Sequence, residues 1–547
     1  MVYDLGIIGG HIVDGAGNPW FKGDLGITGK RIAKVGTVAR KECDRTIDAK
    51  GLFVCPGFID IHTHSDFTAM VFRGCDSTLR QGVTTHLIGN CGLGVAPLRD
   101  PYVKLMMNYW GEWAGVGDVK WRTFREYLRV LEKGGLGHNI AALVAHGAVR
   151  TAVMGPDRGA PDKAQLRDMK GLVDEAMGAG AFGMSTGLVY PPSCFAKTDE
   201  IVELCKVVAK YGGMYTSHIR GERETIAEAI KEAILIGDKA GVRVQISHNC
   251  PKWGACGRTK ETLGLVERAR EKGSDVTIDN DMHTDLAPKL SGALPQYLHE
   301  LDKDDMLAHI SSPKNRARIK KEIIEDKLPA FGPCGLLKHG NFERIFVMHS
   351  AQDRSLEGKT VADIAKERDK DPFDAYFDLI VGSQNGITAL FDYISEDDVK
   401  ALLVHPLMMV SSDCATWSTD GPLSDPPPYI PCSFGEYPGI LARYVRDERL
   451  LTLQEAVRKM TSFPAQKMEL YDRGLLRPGM RADITLIDLP RLKDRATNKW
   501  PHSHPFENWP HKYPEGIPYV IVNGKVAVRK GEQTKELAGE VIRHSPS

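Results

Sequence analysis

Two histidines one residue apart, in Asp60-Ile61-His62-Thr63-His64-Ser65-Asp66, follow the apolar run from Phe53 to Ile61. On a strand, side chains two positions apart share a face, so His62 and His64 can grip one cation at its C-terminal end. Three more ligand-type residues close β-rich runs: His218 ends MYTSH, His248 ends VQISH and Asp413 ends LMMVSSD. Cys91, in GNCG after TTHLIG, adds a thiolate-capable ligand that suits zinc better than magnesium. Singly, each has a plainer reading as a core imidazole or a buried thiol, but six of them at the ends of five strand candidates point to a metal centre. The chemistry such a centre performs is hydrolysis: zinc lowers the pKa of bound water toward ~7 and polarises a carbonyl. A carboxylate such as Asp413 can take a proton during attack and deliver it to the leaving group.

These residues need a scaffold that brings strand ends together. Eight strand candidates can be counted, FIDIH, TTHLIG, IAALVAH, AFGMST, MYTSH, VQISH, DVTID and LMMVSSD, separated by amphipathic helical stretches. Thr198 ahead of Asp199 and Glu200 reads as a helix start, with Ile201, Leu204, Cys205 and Val208 as the apolar stripe. The expected fold is α/β, a (β/α)8 TIM-type barrel, whose active sites sit at the C-terminal strand ends; a doubly wound open sheet is the alternative. Both chain ends read as short strands with glycine turns, Asn523-Gly524 being a two-residue hairpin signal. They predict one small β-sandwich module from residues 1–55 and 470–547, around a barrel of residues 56–469. A lysine-rich stretch at about 286–345 interrupts the rhythm and reads as a helical insertion.

Composition limits the partners. The 547 residues carry 71 Lys+Arg and 71 Asp+Glu, so there is no net charge to hold nucleic acid or an anionic membrane. No apolar run reaches the ~18–20 residues of a spanning helix, and the first residues lack the pattern of a secretory signal. A cytoplasmic location is the expectation. Eleven scattered cysteines suggest no disulfide framework and are expected to be mostly buried thiols. The β-module and exposed helices offer surfaces on which a homo-oligomer could form.

The passages PGFIDIHTHSD, QGVTTHLIGNCG, STGLVYPP, GGMYTSHIRGE, ISHNCPK, LEGKTVADIA and LTLQEAVRKMTSFPAQKMEL with GLLRPGMRADITLID resemble the N-acyl-D-amino-acid deacylase (D-aminoacylase) group of the amidohydrolase superfamily, nearly end to end. The resemblance implies one or two zinc ions per chain, a small-molecule amide substrate, and metal or catalytic roles for His62, His64, Cys91, His218, His248 and Asp413. It implies an α pair in His62 and His64 and a β-type position at His218 and His248. Cys91 then takes the bridging role that a carboxylated lysine fills in many relatives, and AFGMSTGL holds no lysine. Tyr190 in STGLVYPP matches a position touching substrate or the oxyanion, and Lys252 in SHNCPK resembles a lysine that holds a substrate carboxylate. His146 and Arg150 in AHGAVR match a familial motif that serves the barrel core as well as it serves substrate.

Two stretches depart from the resemblance. Where relatives carry His-Pro-Arg, this chain reads Ile430-Pro431-Cys432, followed by Ser433, Phe434 and Gly435, without the guanidinium best shaped to clamp a carboxylate. Where they carry an Asp-Gln-Tyr-Pro-Tyr type segment, it reads Asp279-Asn280-Asp281-Met282-His283. Tyr109, Trp110, Trp113, Trp253, Trp417 and Tyr429 stand on loops that a barrel would gather at its mouth, which suggests an apolar or aromatic pocket. The leading reading is a zinc-dependent hydrolase of an amide C–N bond with a diverged substrate site. An N-acyl-D-amino acid deacylase proper, or a urea, carbamate, cyclic amide or lactone hydrolase, would use the same step. A non-catalytic barrel scaffold is the reading from another class, and retention of all six candidate ligands argues against it. Ser185 in GMSTG does not form a nucleophile elbow.

Overall fold

The computed structural model describes residues 2–100, 102–104, 119–286, 288–299, 301–325, 333–419, 431–496 and 512–545. All eight strand candidates are strands. Phe58–Asp60, Val83–Ile88 and Asn139–Ala142 form a three-stranded parallel sheet. Val144–Ala145, Gly183–Gly187, Met214–His218, Arg243–Ile246, Val276–Asn280 and Met408–Val410 lie side by side, in that order, in a six-stranded parallel sheet. The two sheets touch at both margins. On one side only Leu143 separates them, its amide donating to the Ile88 carbonyl. On the other, Thr63 bridges Cys414 in parallel register and the Asp413 amide donates to the His62 carbonyl.

Helices cover the strands because their apolar stripes have nowhere else to go. Lys163–Gly178 starts at a capping box in which Asp162 accepts from the Ala164 and Gln165 amides, and it buries Met169, Val173, Ala176 and Met177. Thr198–Ala209 buries the expected stripe of Ile201, Leu204, Cys205 and Val208. Its N-cap is Lys197 rather than Thr198, whose hydroxyl instead donates to Glu232 Oε1 at 2.8 Å on the next helix.

Strands from both chain ends share one sheet. Ile484–Ile487 pairs antiparallel with Phe53–Pro56, extending the strands Tyr3–Ile12, Phe21–Thr28 and Arg31–Gly36. One face buries Leu5, Ile7, Leu25, Ile27, Val54, Ile484, Leu486 and Ile521. The hairpin at Asn523 (φ 47°) and Gly524 (φ 78°) forms as its residue types require.

The insertion differs from the helical expectation. Its helices Lys303–Ser311, Pro313–Glu325 and Cys334–Lys338 are joined by an antiparallel sheet of Asp285–Leu286, Ile345–His349 and Thr388–Asp392. The interruption therefore runs on past residue 345, and the helices Lys303–Ser311 and Pro313–Glu325 pack on each other and on the helix Pro372–Gly382. Most cysteines are buried thiols as expected, seven of the nine free ones being buried, and the departure is one pair, Cys414 and Cys432, which are disulfide-bonded. No helix among the described residues is long and apolar enough to cross a membrane.

Candidate metal centre and catalytic site

The six candidate ligands meet at the C-terminal ends of the parallel strands. His62 and His64 follow Phe58–Asp60, Cys91 follows Val83–Ile88, His218 closes Met214–His218, His248 follows Arg243–Ile246 and Asp413 follows Met408–Val410. The donor atoms of His62, His64, Cys91 and Asp413 all lie within 4.8 Å of one another, as do those of Cys91, His218 and His248. Cys91 is common to both groups. Its Sγ lies 3.2 Å from His62 Nε2 and 3.5 Å from His248 Nε2, and Asp413 Oδ1 lies 3.1 Å from the Nε2 atoms of both His62 and His64. A tetrahedral ion with bonds of 2.0–2.3 Å spaces its ligands by about 3.3–3.7 Å, so these separations suit a cation between them.

The chain bends sharply to make this approach. Cys91 (φ 51°), His248 (φ 31°) and Asp413 (φ 50°) all take left-handed backbone conformations that non-glycine residues avoid. Strain of this kind persists where the surrounding structure over-determines it, and it gathers at functional sites. Gly92 (φ 64°) lets the loop pass: a Cβ there would sit 2.5 Å from the Gly187 amide nitrogen.

Buried carboxylates orient the imidazoles. Asp279 Oδ1 lies 3.1 Å from His62 Nδ1 and accepts the His248 amide at 2.9 Å, while Gln245 Nε2 donates to its other oxygen at 2.8 Å. That arrangement turns His62 Nε2 toward Cys91 and Asp413, as ligand-orienting carboxylates do in metal sites. Glu222 does the same for His248, with Oε1 3.1 Å from His248 Nδ1, and its Oε2 lies 3.4 Å from His218 Nε2. Sequence reasoning did not single out Glu222, and it met Asp279 only within a divergent stretch. Glu222 stands four residues after His218 in HIRGE, and that spacing beside a ligand is the signal that could have found it.

The electrostatics describe a site short of positive charge. Burial opposes the Cys91 thiolate, yet the imidazoles of His62 and His248 outweigh it and hold the thiol pKa well below its usual value. Burial likewise opposes Asp413, and His62 and His248 hold its carboxyl well below the usual carboxylate range. His64 is raised to about 9, burial working against the charge and Asp413 and Cys91 prevailing; His248 rises to about 10 through Asp413 and Cys91. A thiolate and a carboxylate in one buried site call for cations, and a divalent ion can replace the protons on the imidazoles. Neither ring nitrogen of His218 forms a hydrogen bond of normal geometry among the described residues, as expected of a group whose partner is a metal. The donor set of imidazole, thiolate and carboxylate fits zinc. The Asp413 side chain stays 32% exposed, open to water and substrate.

Other candidate residues divide. The Tyr190 ring stacks edge-on to His218 with centroids 4.8 Å apart, and burial with the nearby Cys91 thiolate holds its hydroxyl protonated, as a donor must be. Lys252 is buried beside Glu222 and Tyr393, its ammonium 5.5 Å over the Tyr393 ring; these two outweigh burial and keep it cationic. Trp253 is drawn into the insertion instead: its indole N–H donates to Asn341 Oδ1 at 2.8 Å and Arg344 stacks over its ring at 4.2 Å. Trp417 is buried in an apolar cluster with Phe72, Ala415, Phe434 and Ala496. Tyr109, Trp110, Trp113, Tyr429 and Ile430 lie outside the described residues. His146 and Arg150 both bind Glu200, at 3.0 and 3.2 Å, and neither belongs to a ligand group.

Residues 45–250 and 358–528 match the model of the Amidohydrolase family. This chain belongs to that family. The unmatched interval contains most of the insertion. The chain is similar to a D-aminoacylase of Alcaligenes xylosoxydans xylosoxydans, 31% identical over 99% of this chain and 97% of the relative. It is 32% identical to an N-acyl-D-aspartate deacylase of the same organism, over 98% of this chain and 95% of that one. Among solved structures, a D-aminoacylase superposes with a TM-score of 0.77 at 30% identity, covering 99% of this chain and all of its own. N-acyl-D-glutamate deacylase from Bordetella bronchiseptica, solved with zinc and a phosphonate mimic of the tetrahedral intermediate, superposes at 0.78 with 28% identity, over 99% and 100% of the two chains.

Proposed function

We propose that this member of the family is a zinc-dependent hydrolase of a linear amide C–N bond other than a peptide bond, with its eight parallel strands closed into a (β/α)8 barrel. The contacts at both sheet margins support closure, and the shared sheet of the chain ends supports a separate module of residues 1–55 and 470–547. The observation that carries the function is the pair of ligand groups sharing Cys91. His62, His64, Cys91 and Asp413 would hold one zinc ion, and Cys91, His218 and His248 a second. Zinc, when bound, supplies water activation and carbonyl polarisation.

The protein's own groups supply the rest. Asp413, ionised and reachable, accepts a proton from the attacking water and returns it to the leaving nitrogen, which is too basic to depart as an anion. The Tyr190 hydroxyl donates to the oxygen that gains charge during attack. Asp279 and Glu222 keep the imidazoles in one orientation throughout.

The substrate we infer is an amide without a strong requirement for a carboxylate. At the departure from the familial arginine stands Cys432, bound to Cys414 beside Asp413. The rings of Tyr190 and Tyr393 favour an apolar or aromatic group, although Trp253 and Trp417 are engaged elsewhere. Lys252 favours the second reading, an N-acyl-D-amino acid, since it is a buried cation next to the centre. Zinc-loaded protein assayed on N-acetyl-D-amino acids, N-acetyl-L-amino acids and carboxylate-free aromatic amides separates them. Turnover confined to the carboxylate-free amides supports the first; efficient turnover of N-acetyl-D-amino acids, lost in Lys252→Met, overturns it in favour of the second. The nine free thiols support a cytoplasmic location, and the Cys414–Cys432 bond is the feature that weighs against it.

A further inference from the structure

A second cluster of metal-ligating side chains lies in the wall of the same mouth. The segment after the strand Val276–Asn280 brings Asp281 and His283 against Glu436 on the helix Cys432–Gly439, and one donor atom from each lies within 4.8 Å of the other two. It shares no residue with the Cys91 centre. Both of its segments adjoin the two stretches in which this sequence departs from its resemblance, Asp279–His283 and Pro431–Gly435.

Three observations point to a ligand. Glu436 is fully buried, and only its Oε1 is satisfied, accepting the Met282 amide at 2.8 Å. Its Oε2 forms an ion pair with His283 Nδ1 at 2.9 Å, but neither atom makes a hydrogen bond of normal geometry, so two good donors for a cation converge on one point. The surroundings are also short of positive charge. Asp494, whose carboxyl burial raises to about 6, lies against the same helix, where a Cβ on Gly439 would come 3.3 Å from its Oδ2. Against the three carboxylates of Asp281, Glu436 and Asp494 stand His283 and, acting on Asp281, Lys252. Burying a carboxylate that incompletely paired is costly, and a divalent ion removes the cost.

We propose that Asp281, His283 and Glu436 bind a divalent cation distinct from the Cys91 centre, which ties the segment after Val276–Asn280 to the helix Cys432–Gly439. One imidazole and two carboxylates, with no thiolate, make a harder donor set suited to manganese or zinc. The site stands whichever amide proves to be the substrate.

The missing thiolate allows the two centres to be read separately. Full-length protein stripped with a chelator is titrated with Co2+; bound metal is counted, and the near-ultraviolet cobalt–thiolate absorption reports the Cys91 centre alone. His283→Gln and Asp281→Asn, both close in shape to the original side chains, are each expected to bind one Co2+ fewer than wild type with the thiolate absorption at full strength. Cys91→Ala is expected to lose that absorption and still bind one Co2+, which Cys91→Ala/His283→Gln does not. If His283→Gln and Asp281→Asn bind as many ions as wild type, the cluster is an ion pair between His283 and Glu436, and the proposal is overturned.

Discussion

Two buried clusters in this protein use the same residue types to opposite ends. In the first, His146 Nδ1 lies 2.8 Å from the Ser193 hydroxyl, its Nε2 lies 3.0 Å from Glu200, and Arg150 donates to Glu200 and to the Asp157 carbonyl. Both ring nitrogens and the guanidinium have partners within the protein. In the second, around Cys91, His218 lacks any well-formed hydrogen bond and His64 Nδ1 has none, while thiolate and carboxylate crowd the same point. Burial does not distinguish them, for His146, His218 and His64 are all largely enclosed. Satisfaction of the imidazoles does: both ring nitrogens of His146 have partners, Glu200 Oε2 being the one carboxylate oxygen of that cluster left over, whereas neither ring nitrogen of His218 has one, and it is this second cluster that is proposed to take an ion.

The largest effect that sharpens this contrast is expected from Cys91→Ala. It removes the donor common to both proposed metal positions and should lower amide turnover by more than ~1,000-fold with matching loss of bound zinc, measured on one sample by metal analysis and steady-state kinetics. Full activity with full metal would show that Cys91 is only a buried thiol. In the other cluster, Glu200→Gln leaves the buried Arg150 charge without its carboxylate and should cost about 3–5 kcal/mol in denaturant unfolding while leaving zinc content unchanged. Metal lost with it would mean that the two clusters are not independent.

A smaller change is expected at Tyr190. Tyr190→Phe should lower kcat about 10- to 100-fold with little change in KM, since the hydroxyl is called on as charge develops; a pure KM effect would make Tyr190 a binding residue instead. The mildest test is pH. His146 and Arg150 outweigh burial and hold the Glu200 carboxyl below its ordinary value. Its folded pKa is thus below its unfolded one, so its contribution is complete above the ordinary range near ~4.3 and disappears as pH falls through the depressed value. Stability lost on acidification below ~4.5 should be smaller in Glu200→Gln than in wild type.

The site was legible where chemistry and strand rhythm coincided. Each of His62, His64, Cys91, His218, His248 and Asp413 stands directly after an apolar run, so the period of the chain and the residue type pointed to the same place. Glu222 and Asp279 escaped because a carboxylate that orients a ligand carries no spacing rule of its own and looks like any charged loop residue. The strands Ile345–His349 and Thr388–Asp392 escaped because they are short and lie among lysine-rich helices that dominate the pattern. The Cys414–Cys432 bond joins residues 18 apart within an odd total of cysteines, a pattern that names no pair. Trp253 and Trp417 were legible as loop aromatics, but composition cannot say which neighbour a ring will meet, and the insertion and the Phe72 cluster took them.

The central claim is that a Cys91-linked metal centre hydrolyses an amide with Asp413 as the proton carrier. Asp413→Asn tests it most directly when zinc content and turnover are measured together, because His62, His64 and Cys91 remain to hold the ion while the base is lost. The account predicts that the variant retains most of its zinc and loses about 100- to 10,000-fold in kcat. Undiminished turnover at full zinc occupancy would contradict it.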